Sequence, residues 1–273
     1  MKTFHLLIII IFISIELFSQ TEEEILSEAK LLYYSEKASW IGTDILLEKF
    51  PEKRNQLGGY FSYSEDNNHK CIFFNNDSLP IVLATIAFDN SFTPENTNIN
   101  ITEREFTAYE NDLYIIRKKT LSEISSDTLF KKYNNTNLNP VPIISEKKKK
   151  VYILTGPVVS GVVVLGNDYL LVFDKNNNLK SKECLHKNII PITYNDETKD
   201  AVTIHSHLES TGDLITATDI CTIMLYEKYA HWKTHYVISN KNVSIWNCVT
   251  DQLFVMTRKA WDRINESQNE NNK

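Results

Sequence analysis

Two histidines and an aspartate stand where they could share one metal ion. In Ala201-Val-Thr-Ile-His205-Ser-His207 a short apolar run ends in a His-x-His pair. Side chains two apart leave the same face of a strand, so both imidazoles can converge. Zinc favours imidazole nitrogen and carboxylate oxygen, and a catalytic site needs three protein ligands and one open position. Asp219, after a loop and at the start of a predicted helix, supplies the third donor. Thr216-Ala-Thr-Asp219 also has the form of a helix capping pattern, with Thr216 as cap and Asp219 in the first turn, so a purely structural role for Asp219 stays open. An exposed polar strand end would equally explain the two histidines taken alone. His186, His231 and His235 read as lone histidines filling ordinary surface or core positions.

His205-x-His207, a short loop, then Thr216-x-x-Asp219 opening a helix resembles the JAMM metallopeptidase motif of MPN domains. Ser160-Gly-Val-Val-Val-Leu-Gly166 is similar to the Gly-x-x-x-Gly strand of that core, and Tyr236–Ser239 and Val243–Trp246 to the strand pair after its motif helix. The resemblance covers about 155–250. It implies one zinc held by His205, His207 and Asp219, and hydrolysis of a peptide or isopeptide bond by zinc-activated water. Thr216 would stabilise the oxyanion with its hydroxyl. The sequence departs from the family in four places. Leu208 replaces a usual proline, the loop to Thr216 is one residue longer, and threonine stands for serine. Val158 occupies the position of the general-base glutamate, and valine cannot accept a proton. Glu209 or Glu183 would have to substitute. Without a base, the expectation becomes a non-catalytic MPN-like binding or scaffold protein.

The elements that must position these residues read as two blocks. Residues 1–19 have a secretory signal layout: Lys2, an apolar run from Leu6, then Leu17 and Ser19 before a cleavage point. The expectation is therefore a secreted or periplasmic protein without an integral membrane segment after cleavage. Residues 20–132 read as an N-terminal α+β unit of unassigned role. It has a helix over 22–50, strands at 60–64, 71–74 and 81–88, and a second helix marked by Phe106, Tyr109, Leu113 and Ile116. Residues 133–150, Asn-rich with Pro140, Pro142 and four lysines, read as a linker. Residues 151–265 read as a mixed-sheet MPN-like α/β domain. Its strands fall at 151–154, 162–165, 169–173, 189–193, 201–204, 236–239, 243–246 and 253–256, and its helices at 217–231 and 257–265. Gly166-Asn167-Asp168 reads as a hairpin turn between two of these strands. The tail, 266–273, reads as disordered, and no internal repeat is visible.

Composition excludes other classes. The 273 residues carry a net charge of -6, with no basic field to hold a nucleic-acid backbone. The implied partner is a peptide or protein. Four cysteines, Cys71, Cys184, Cys221 and Cys248, are too sparse for a disulfide scaffold and contain no Cys-x-x-Cys. They leave either one or two disulfides or buried thiols. Asn is abundant at 27 residues against 7 Gly, which assigns turn work to Asn. No Gly-x-Ser-x-Gly elbow, phosphate loop or dinucleotide fingerprint occurs.

Overall fold

A computed structural model describes residues 21–195 and 200–271; the expected signal segment lies outside them. Helix α1 (Glu22–Lys49) begins in a capping box: Glu24 N–H donates to the Thr21 hydroxyl, and Thr21 N–H to the Glu24 carboxylate. Pro51 follows its end and cannot continue it. This one helix serves two cores. Ile25, Ala29 and Leu32 pack with the C-terminal half of the chain, whereas Ala38 and Leu46 pack on the first sheet. That sheet is antiparallel, in the order β1 (Leu57–Glu65), β2 (Asn68–Asn75), β3 (Val82–Phe88), β4 (Asn98–Asn100). Gly42 lets helix and sheet close up, since a Cβ there would sit 3.0 Å from Cys71 Cβ.

The same plan then recurs. Helix α2 (Ala108–Ser126), also opened by a capping box, precedes an antiparallel sheet ordered β5 (Thr136–Ser145), β6 (Lys148–Pro157), β8 (Tyr169–Phe173), β9 (Leu179–Cys184). In both sheets the second residue of the second strand is a buried polar side chain facing a phenylalanine: His69 opposite Phe88, Lys149 opposite Phe173. An aspartate follows each phenylalanine and ties the next turn, Asp89 to Ser91 N–H and Asp174 to Asn176 N–H. The repeat is one of architecture. Strands need only alternation and size, so two sequences without visible similarity can build the same plan.

Residues 133–150 are therefore not a linker, because β5 and the start of β6 run through them. Their two prolines and four lysines misled. β5 is a sheet edge, where a missing N–H costs no ladder bond, and Pro140 and Pro142, two apart, lie on the same side of the strand. Lys149 is buried, ion-paired to Asp112 at 2.7 Å and bonded to Asn177.

The third part carries the chemistry. β7 (Val162–Gly166) pairs with β10 (Ile189–Thr193), not with β8, so the expected hairpin at Gly166-Asn167-Asp168 is instead a bend between two sheets. Gly166 is required there. Its φ is +82°, and a Cβ would lie 2.3 Å from Asn188 O. Asn167, also at positive φ, is buried and bonded to Lys131 O, Thr155 and Tyr169. β11 (Val202–Ser206) runs parallel to β12 (Thr234–Ile238), joined through α3 (Ala217–Ala230). β13 (Asn242–Asn247) and β14 (Gln252–Thr257) extend the sheet antiparallel. α4 (Arg258–Asn271) closes the described chain, so helix continues into the tail expected to be disordered. The described residues are mixed α+β, with four α-helices and both antiparallel and mixed sheets. Cys71, Cys184, Cys221 and Cys248 are all free thiols, three of them buried. No helix among the described residues is long and apolar enough to cross a membrane.

α3 is locked to β13 by Trp246, whose indole N–H donates to Glu227 at 2.9 Å. Burial pushes Glu227 from 4.5 up to about 7, against the pull of that bond. A carboxyl raised in the fold binds its proton more tightly folded than unfolded, so stability falls as pH rises from about 4.5 to about 7. The expected cost is about 2–3 kcal/mol. Glu227→Gln keeps an acceptor for Trp246 and should remove that part of the slope in urea unfolding at pH 5 and pH 8. An unchanged slope would place the titration elsewhere.

Candidate metal centre

β11 turns Thr203 and His205 inward and Val202, Ile204 and Ser206 outward. His207 lies one residue past the strand. Its N–H donates to Ile238 O and prolongs the parallel register, so its imidazole stays on the face of His205. The two Nε2 atoms are 3.1 Å apart. α3 begins across the loop. The mouth between the carboxyl end of a parallel strand and the helix that follows it is where open α/β sheets place their ligands.

Asp219 caps the helix and is also placed to face the histidines. Its Oδ2 accepts from Thr216 N–H at 3.0 Å and from the Thr216 hydroxyl at 2.7 Å, while its own N–H donates to Thr216 Oγ1. That is a capping box. The same carboxylate faces the histidines: Oδ2 lies 3.2 Å from His207 Nε2, and Oδ1 lies 3.7 Å from His205 Nε2. Oδ1 is fully buried without a hydrogen-bond partner. A buried carboxylate oxygen left bare costs several kcal/mol, on the order of the penalty for an unpaired buried polar group, unless something cationic faces it. Thr216 is committed to the cap, its Oγ1 bonded to Asp219 and 3.0 Å from Thr218 Oγ1.

A fourth donor comes from His186, in the loop between β9 and β10. It is buried, with Nε2 3.4 Å from His207 Nε2 and 3.5 Å from Asp219 Oδ2. His186, His207 and Asp219 form a group able to hold a metal ion. Reading His186 as lone was wrong. It stands 19 residues before His205, and no fixed spacing ties a loop residue to a strand end. The backbone of Asp168 carries that loop, accepting from the N–H groups of Leu185 and His186.

Every imidazole presents Nε2 to the common point and uses Nδ1 outward. His207 Nδ1 donates to Leu214 O at 2.9 Å, which fixes its tautomer. His205 Nδ1 is 2.8 Å from His235 Nε2, and His235 Nδ1 is 2.7 Å from Thr203 Oγ1. His186 Nδ1 makes no hydrogen bond and faces Asp168 Oδ2 at an ion-pair distance of 3.4 Å. Such outward partners orient histidine ligands in metal sites. His235, expected to be a lone residue, is thus buried and part of the support; His231 is the exposed C-cap of α3.

Electrostatics agree. Burial alone would lower His186, but the carboxylates of Asp219 and Asp168 outweigh it and raise it to about 11. Burial lowers His205 to about 4 and His235 to about 3. Burial opposes ionisation of Asp219, yet His186 and His205 hold it well below the carboxylate range. The positive charge that faces Asp219 is carried by a protonated His186, which an ion bound there would displace.

The expected general bases lie elsewhere. Glu209 is exposed and acts on Lys241, and no hydrogen bond or ion pair joins it to the imidazoles among the described residues. Glu183 is exposed on β9, and Val158 is 53% exposed. Among the described residues, a further buried carboxylate, Asp168, stands behind His186. Burial raises its pKa, opposed by His186, and Thr155 N–H donates to it at 3.2 Å. If the cluster holds an ion, Asp168→Asn should weaken its binding about 10–100-fold by altering what faces His186. Competition with a chromogenic chelator measures this, and an unchanged affinity would remove Asp168 from the site. No family model, curated protein or solved structure matches the chain.

Proposed function

We propose that this protein binds one zinc ion through His186, His205, His207 and Asp219, and that its C-terminal part is a metal-stabilised, MPN-like binding module. The observation that carries this reading is the spacing of the donors. Bonds of about 2.0–2.1 Å to a tetrahedral zinc set ligands about 3.3 Å apart. His207 Nε2 lies 3.1 Å from His205 Nε2, 3.4 Å from His186 Nε2 and 3.2 Å from Asp219 Oδ2; His186 lies 3.5 Å from that oxygen, and His205 faces the other oxygen, Oδ1, at 3.7 Å. A nitrogen-and-oxygen set without thiolate suits zinc. Four protein donors fill a tetrahedron, the habit of structural rather than catalytic zinc. The buried centre and the exposed Glu209 point the same way.

A second reading, a zinc-dependent peptidase or isopeptidase, is favoured by the convergence of His205, His207 and Asp219 in the arrangement the JAMM resemblance implies. In it His186, kept protonated by Asp219 and Asp168, would serve as proton donor to the leaving amine. Zinc would supply Lewis-acid polarisation of the scissile carbonyl. The apolar N-terminal segment supports a location outside the cytoplasm for either reading, with extracellular or envelope peptides as partners or substrates.

Metal analysis after purification without chelators should give one zinc per chain, lost in His207→Ala. Wild type without metal would defeat both readings. Zinc with no cleavage of a peptide library supports the binding module. Cleavage abolished by Asp219→Asn, with folding intact, supports the peptidase.

A further inference from the structure

Away from the metal centre, a cavity of about 430 Å³ opens between α1, the start of β1, the end of β6 and the middle of α3. Its size falls in the range of small-ligand sites. Aromatic rings and carboxylates dominate its wall: Trp40, Tyr60 and Tyr226, with Glu36 and Asp44. Trp40 is 43% exposed, a costly place for an indole. Its ring is fixed between Tyr226 and Tyr229, with both centroids 5.8 Å away. Glu36 is held by one hydrogen bond from Asn139 at 2.6 Å, and no ion pair reaches it among the described residues. Arg117, whose guanidinium lies over the Tyr60 ring at 5.2 Å, opposes the rise in Glu36 but makes no ion pair with it. A carboxylate with no ion pair, in a cavity lined by aromatic rings, is complementary to a cation.

We propose that this cavity binds an organic cation, a primary or quaternary ammonium group carried by a small molecule or by a lysine side chain. The rings supply cation–π attraction, which is strongest over Trp, and Glu36 supplies the countercharge, with Asp44 at the rim. Burial pushes Glu36 up to about 7, so a bound cation relieves a cost the empty fold carries. A neutral molecule of the same shape would leave that cost in place.

The test is calorimetric titration of the full chain with choline, with its neutral isostere 3,3-dimethylbutan-1-ol, and with N-acetyl-lysine methylamide. Choline or the lysine derivative should bind at least about tenfold more tightly than the alcohol. Preference for choline assigns a free ammonium compound, and preference for the lysine derivative assigns a protein side chain. Glu36→Gln, which keeps an acceptor for Asn139, and Trp40→Ala, at a partly exposed position, should each weaken binding about tenfold with an unchanged circular dichroism spectrum. Equal binding of choline and the alcohol overturns the proposal. So does the absence of saturation by either cation up to about 10 mM, or full binding in both variants.

Discussion

Asp219→Ala should empty the metal centre and fray α3 in one step. The side chain is donor and cap together: Oδ1 faces His205 without any other partner, and Oδ2 closes the capping box with Thr216. Alanine removes the only anionic donor among three imidazoles, so zinc affinity should fall by more than about 100-fold. Losing the cap costs about 1 kcal/mol more. Loss of bound metal removes its linkage to folding, about 4 kcal/mol at a thousandfold excess over Kd. Asp219→Asn separates the two contributions. Its amide oxygen can still accept from Thr216 N–H, so the helix should start normally while the ion is lost. In thermal unfolding with and without chelator, wild type should lose stability on chelation and both variants should not. A variant that retains stoichiometric zinc would show that the carboxylate only caps.

The second large effect belongs to His186→Ala. The three donors legible in the sequence would still bind an ion, but with one position open. Affinity should fall about 100-fold or more, and the vacated position should admit water or an added imidazole. Added imidazole should then restore part of the affinity, a response that general loosening of the loop would not give. An unaltered affinity would return the site to His205, His207 and Asp219 alone and strengthen the peptidase reading. Increased peptide cleavage in this variant would mean that a closed centre had been opened to substrate.

Why the sequence brought out three residues of the cluster and not His186 follows from local geometry. His205 and His207 are related by the period of a strand, and Asp219 by the first turn of a helix; both relations are fixed by backbone repeat. His186 is placed by Asp168 through a loop and by the sheet-switching bend at Gly166, and neither leaves a spacing to read. The same contrast governs the fold. Tyr169–Phe173 and Ile189–Thr193 are short apolar runs and fall where alternation and branching put them. β5 and the start of β6 were hidden because their cues, proline and a lysine run, carry opposite meanings at a sheet edge and in a linker. Pairing was less legible than position: β7 chooses β10 over its neighbour β8 for reasons that lie in Gly166, Asn167 and the core behind them. Asn was expected to make the turns, yet Asn135, Asn167 and Asn177 share positive φ with Asp, Glu, Lys, His and Phe residues, so the scarcity of glycine is met by several residue types.

X-ray absorption at the zinc edge of the purified full chain tests the central claim most directly. Four nitrogen or oxygen ligands at about 2.0–2.1 Å, with the scattering of three imidazoles, are expected. In His186→Ala the imidazole count should fall to two. A wild-type spectrum with two imidazoles, or folded protein carrying no zinc at all, would contradict the four-donor centre.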